Sequence, residues 1–185
     1  AEYSGGHYTV DYMHGGEPVN YVRWRKMGIL EKVTDIIPGI EKKDKRMYSM
    51  YGDYAVAGNM ATTPHYNSKL VSAAEAPKRW EYLLDPKWKG QLAMLTDMKP
   101  WYVFALADGG WGLEKTEDYL RKMGKQNLIW APGGQSAALG LLLAGEFKIC
   151  LWNNIRFAFR GQDKGQPLGW CRVNPVPITG GTFLL

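Results

Sequence analysis

Hydrophobic positions along this chain change period several times, and each change marks an element. Residues 9–13, TVDYM, alternate and predict a strand, with HGG at 14–16 as the loop after it. Pro18 suits the first turn of a helix through residues 19–27, and Gly28 suits its left-handed stop. Residues 53–67, DYAVAGNMATTPHYN, lack a helical period and carry β-branched residues, which predicts one extended, crossing segment. APKRWEYLL at 76–84 reads as a short helix entered at Pro77, DPKWKG as a turn, and QLAML as a short buried strand.

From Trp101 the pattern turns helical. A second helix follows over LEKTEDYLRKMGKQ, with Leu113, Thr116, Leu120 and Met123 on one stripe and charges opposite. LIW at 128–130 reads as a strand, and GQSAALGLLLAGE as a helix apolar nearly all round, hence buried. FKICLW predicts a strand, NNIRFAFRGQ a helix, and LGWCRVNPVPI a strand broken by two prolines. Strands alternating with helices predict an α/β fold with a largely parallel sheet.

Composition narrows the function classes. The net charge of +5 is modest and its basic residues are scattered, except for EKKDKR at 41–46, where acids interrupt the run. That disfavours nucleic-acid binding and leaves a small anionic ligand as the better match to the sign. No apolar run approaches the roughly 18 residues of a membrane span, so no direct membrane insertion is expected. No leader is recognisable, and both ends read as cut from something longer. Cys150 and Cys171 fit no zinc spacing and could be buried thiols or one disulfide.

Candidate chemistry centres on APGGQSAALGLLLAGEF, residues 131–147. A nucleotide-hydrolysing loop needs a lysine and a hydroxyl in the pattern GxxxxGK[ST], and no lysine follows Gly133-Gly134. What remains is the unpaired N–H groups and positive dipole end at Gly134–Ala137, an attraction for an anion to which Gln135 and Ser136 could add hydrogen bonds. The alternative is that Ser136 only caps the helix. Arg156 and Arg160 share a helical face and could clamp a carboxylate or phosphate, or simply be solvated. Trp101 and Tyr102 could wall a pocket or pack in the core. Trp152 follows a strand, where α/β sheets place ligand contacts. Catalytic patterns are poor: His7, His14 and His65 form no HExxH, no GxSxG occurs, and Asp97 and Asp108 stand alone. No enzyme activity, metal or cofactor is therefore expected. Tyr48, Tyr51 and Tyr54, with Asp53 among them, could ligate ferric iron, or could pack.

The order of these motifs resembles a known family. YNSKLV, EAPKRWEYLLDPKWKGQLAM, WGLEKTEDYLRKMGKQN, GGQSAALGLLLAGEF and WCRVNPVPITGG are similar, in order and spacing, to the type II periplasmic solute-binding proteins of ABC importers, in the iron- and organic-anion-type cluster. The resemblance runs from about Asp11 onward. It implies a two-lobed fold of two α/β lobes joined by crossing strands, with ligand held between them. Residues 59–172 would form a complete second lobe, and residues 1–58 plus 173–185 a partial first lobe, since the family's opening strand–helix unit and C-terminal helices have no counterpart here.

The same resemblance implies ligand-binding roles for Gly15 and Gly16 in a first-lobe loop, for Trp101 and Tyr102, for Gly134, Gln135 and Ser136 at an anion-cradling helix start, and for Trp152 and Arg156 after the next strand. Ferric-binding members carry two consecutive tyrosines in that last segment. Here it reads WNNIR, which favours a small anionic ligand over iron. The implied function is capture of that ligand and delivery to the membrane subunits of an ABC permease, in the periplasm or outside the cell. Such an oxidising setting keeps a Cys150–Cys171 bridge open as an alternative. Rival readings are a ferric-iron-binding protein of the same family, an enzyme on the same scaffold, and a non-binding interaction module.

Overall fold

A computed structural model describes residues 14–15, 18–44 and 51–184. The elements are β1 (His14–Gly15), α1 (Pro18–Lys26), α2 (Val33–Ile36), β2 (Ala55–Asn67), β3 (Leu92–Leu95), α3 (Lys99–Leu106), α4 (Leu113–Met123), β4 (Ile129–Ala131), α5 (Gly134–Ala144), β5 (Ile149–Asn154), α6 (Ile155–Asp163), β6 (Leu168–Trp170) and β7 (Ile178–Leu184). The strand expected at 9–13, and His7, Gly16 and Tyr48, lie outside the described residues.

The chain divides into two compact units, Ala1–Asn59 with Gly180–Leu185, and Met60–Thr179. The return passage thus falls at 179/180, not at 172/173. Residues 171–178 stay with the second unit because its backbone holds them: Cys171 N–H donates to Pro64 O (2.7 Å) and Thr62 N–H to Pro177 O (3.1 Å). The Trp80 indole N–H also donates to Pro175 O (2.8 Å).

In the first unit, β1 pairs antiparallel with β7. Helix α1 starts at Pro18 as expected, and Gly28 has φ +69° just beyond its end. Its Tyr21 is fully buried against Trp24 and Tyr54, with ring centroids 5.1 and 5.0 Å away. Arg25 pairs with Asp53, its Nη2 lying 3.2 Å from Oδ1, and its guanidinium covers the Tyr51 ring at 3.8 Å. Tyr51, Asp53 and Tyr54 are thus engaged in packing and an ion pair.

The second unit carries a mixed sheet. β2 pairs antiparallel with β6 on one edge and with β5 on the other, then β5, β3 and β4 run parallel in that order. The expected largely parallel sheet is corrected to this arrangement. Parallel pairing needs a crossover connection, which α3, α4 and α5 supply between β3, β4 and β5, whereas β2 arrives from the other unit without one.

Aromatic side chains fill the core under this sheet. Trp80, Phe104, Trp101, Tyr119 and Trp152 are all at least 96% buried, each worth about 1.5–3 kcal/mol or more on transfer from water. Tyr119 donates its hydroxyl to Trp80 O (2.8 Å), so its polar end is satisfied. On α4 the buried stripe is Thr116, Tyr119 and Met123, while Leu113 is 59% exposed. Trp111 packs on Tyr119 with ring centroids 5.0 Å apart. Helix α5 is likewise not buried all round: Ala138, Leu139 and Leu142 face inward, but Ser136, Ala137, Gly140 and Leu141 are exposed. Its C-terminal turn is held by Asn67, whose buried amide donates to Leu142 O (2.9 Å).

Cys150 and Cys171 are free, buried thiols. The disulfide alternative is corrected by the register: Cys150 and Trp170 both lie opposite His65, on its two sides, so a whole strand separates the cysteines. Two strand spacings amount to roughly 10 Å, beyond the roughly 7 Å that a disulfide spans between Cα atoms.

Candidate functional site

β3, β4 and β5 end at the same sheet edge, and helices α3, α5 and α6 begin within four residues of those ends. None of the three helices has an acidic residue in its first turn. That departs from the usual placement of carboxylates against the positive end of a helix dipole. Lys99 and Arg156 stand there instead.

Between β4 and α5, Gly133 and Gly134 both adopt left-handed backbone, with φ +79° and +77°. A side chain at Gly133 would be strained twice over, since its Cβ would fall 2.9 Å from that of Ala137. Gly133 is the N-cap residue and provides no side-chain cap, so the N–H groups of the first turn keep no capping acceptor. Ser136 is exposed and sits inside the helix, which corrects the reading of it as the cap. It lines a groove of about 360 Å³ together with Arg160 and Lys164.

Gln135 does a different job from the one expected. Its Oε1 accepts from the backbone N–H of Asn154 (3.0 Å), and Asn154 in turn caps α6 by accepting from Arg156 N–H (3.0 Å). The starts of α5 and α6 are therefore tied by two side chains, and Arg156 leaves this junction exposed to solvent. Its guanidinium lies 5.3 Å from the Phe157 ring centre, with no acid paired to it among the described residues.

Trp101 and Trp152 are core side chains, 3% and 1% exposed, in place of the pocket wall expected of the first and the ligand contact expected of the second. They meet edge to face at 4.5 Å, and Trp152 also lies against Trp80 at 4.7 Å. The Trp152 backbone has φ +65°, where β5 bulges against β2 between Thr63 and His65. This kink aims the following Asn153 and Asn154 at the strand end. Tyr102, by contrast, is 64% exposed in the first turn of α3.

Gly134, Gln135 and Arg156 are thus brought together through Asn154. Gly15 lies in the other unit, opposite Phe183. Sequence reasoning missed Asn154 and Asn153. Asn at a strand-to-helix junction is an N-cap signal that could have found the first. Asn153 is fully buried, donates to Cys150 O (3.1 Å) and has no partner for Oδ1 among the described residues, opposite Thr63, a pairing no sequence signal marks.

A mixed sheet whose parallel strands deliver three helix starts to one edge, that of α5 without a side-chain cap, that of α6 capped by Asn154 and that of α3 bonded by Asp97 (3.0 Å), is the architecture of a binding lobe. The chain belongs to the bacterial extracellular solute-binding proteins, whose family model matches residues 14–185. It is similar in fold to iron-bound HitA from Pseudomonas aeruginosa, at 20% identity and a TM-score of 0.72, with 98% of this chain and 60% of that one covered. A substrate-binding protein of an ABC transporter from Agrobacterium tumefaciens superposes with a TM-score of 0.76 at 12% identity, covering 100% of this chain and 56% of that one. The Trichodesmium protein IdiA/FutA, in complex with iron and citrate, matches at 17% identity and a TM-score of 0.70, with 99% and 61% covered. The chain therefore spans about 60% of the length of these solved structures. No curated protein matches it. Among the described residues no helix is long and apolar enough to cross a membrane, and no three His, Cys, Asp or Glu side chains cluster.

Proposed function

We propose that this chain carries the ligand-holding part of a solute-binding protein that captures a small anionic solute and hands it to an ABC permease, in the periplasm or outside the cell. The observation that carries the reading is the meeting of the α5 and α6 starts, tied through Gln135 and Asn154 with no carboxylate in either first turn, and with Arg156 exposed at the junction. Free N–H groups at Gly134–Ser136 and the Arg156 guanidinium would share the anion's oxygens, with Tyr102 at the margin. No bond is made or broken in such a step. Affinity comes from donors that already point outward before the ligand arrives.

The iron-bound neighbours motivate a second reading in which ferric ion arrives with an organic anion such as citrate. A ferric ion wants hard oxygen donors, and residues 152–156 of this chain read WNNIR, with no tyrosine, where the resembling ferric-binding segment carries two. The anion is therefore the better cargo.

Thermal melting of the full chain against carboxylates, phosphonates, sugar phosphates and ferric citrate tests both. A bound anion stabilises the fold in proportion to ln(1 + [L]/Kd). Arg156→Ala should weaken the best hit by about 1.5–3 kcal/mol, the range for a hydrogen bond to a charged group. If no anion raises the melting temperature, the reading fails; if only ferric citrate does, the second replaces it.

A further inference from the structure

We propose that a cavity beside β6, away from the helix starts, is a second binding site for a small aromatic acid. The cavity has a volume of about 440 Å³ and is lined by Tyr66, Ala76, Lys78, Gln162, Trp170 and Arg172 among others. That falls in the range of small-molecule sites, about 300–1,000 Å³. It is separate from the candidate site on the sheet. Tyr66 lies opposite Ile149, where β5 begins, while the helix starts gather at Asn154, where β5 ends. The partners of those two residues on β2, Tyr66 and Thr62, are four residues apart, roughly 13 Å of strand.

Three features select the ligand class. First, Lys78 and Arg172 are exposed cations with no ion pair among the described residues, and the two acids three residues from Lys78 are engaged elsewhere, Glu75 by Ser72 (2.7 Å) and Glu81 by Lys115 (3.7 Å). Two unpaired cations on one small cavity fit a carboxylate. Second, Tyr66 is only 7% exposed, yet its hydroxyl has no partner among the described residues and borders the cavity. The ring fits because position 169 is glycine: a Cβ there would come within 2.3 Å of Tyr66 Cζ. The ring is buried while the hydroxyl oxygen opens onto the cavity, so the O–H is placed to donate to an incoming acceptor. Third, the Trp170 indole is fixed edge-on by Phe159 (5.1 Å) and has the Arg172 guanidinium 5.4 Å from its ring centre. It offers a flat apolar wall against which a ring can stack.

Isothermal titration of the full chain with benzoate tests the assignment, with benzyl alcohol as the uncharged analogue and inorganic phosphate as the ringless anion. Saturable millimolar binding is expected, weakened about tenfold, or 1.4 kcal/mol, by Lys78→Ala or Arg172→Ala. Tyr66→Phe, which keeps the ring and loses only the hydroxyl, should also weaken it. Arg121→Ala, an exposed cation on α4, should leave it unchanged. Absence of saturation, equal binding in all variants, or phosphate and benzyl alcohol binding as tightly as benzoate would each overturn the proposal. Because none of these residues belongs to the helix-start site, failure here leaves the transport reading standing.

Discussion

His65 sits mid-strand on β2 with its ring fully buried, its Nδ1 3.0 Å from Thr63 O and its Nε2 without a partner among the described residues. Cys150 and Trp170 flank it across the two neighbouring strands. Burial pushes its pKa down to about 4 from the usual 6.5. The folded chain thus keeps the ring neutral where an unfolded chain would already bind a proton. Stability is unaffected above pH 6.5 and falls as the pH drops from there toward 4, by up to about 3 kcal/mol. Urea midpoints at pH 7 and pH 5 should differ accordingly, and His65→Gln should shrink the difference; equal midpoints in the unmodified chain would contradict it. The cysteines give a second check at this scale. Burial raises both thiol pKa values, Cys150 to about 11, so neither should react with a thiol reagent in the folded protein. Both should react in denaturant without added reductant, and a count of zero there would mean a disulfide.

At the scale of elements, the tie between α5 and α6 is the feature most open to test. Gln135→Ala leaves the buried Asn154 N–H without its acceptor and should cost about 1–3 kcal/mol in denaturant unfolding. Gln135→Glu keeps an acceptor at the same reach and should cost less; identical losses would mean that the hydrogen bond contributes nothing. Most element types were legible from the sequence. Pro18 and Gly28 bracketed α1, the aperiodic 53–67 stretch became β2, and Gly133-Gly134 opened α5. APKRWEYLL instead forms a 3-10 turn at Trp80–Leu84. What escaped was tertiary. Apolar content placed α5 wholly inside, yet one side of it meets solvent, because composition does not say how many faces a neighbouring layer covers. Trp101 and Trp152 stood at positions suited to ligand contact, but position along a chain does not fix which way an indole turns.

For the molecule as a whole, the two compact units differ in what holds them. The described core of the second is a continuous aromatic and aliphatic cluster from Tyr66 to Val173, whereas the first shows a cluster of Val33, Ile40 and Ala55 with Ile37 against it. Among the described residues the apolar cluster beside α2 is the smaller, and local opening is easier where fewer apolar contacts close a region. Native-state hydrogen exchange should therefore find amides of α1 and α2 opening at lower free energy than those of β3 and β5. A single common opening energy for all four elements would count against independent units.

Four tryptophans, Trp80, Trp101, Trp111 and Trp152, crowd into one cluster of the second unit, and two pairs, Trp80–Trp111 and Trp101–Trp152, meet at 86°. Chromophores held so close and so fixed couple their transitions, which gives an asymmetric circular-dichroism signal in the near ultraviolet that a loosened core loses. Evolution has thereby left one half of this chain with its own spectroscopic label, so its melting can be followed optically without any dye.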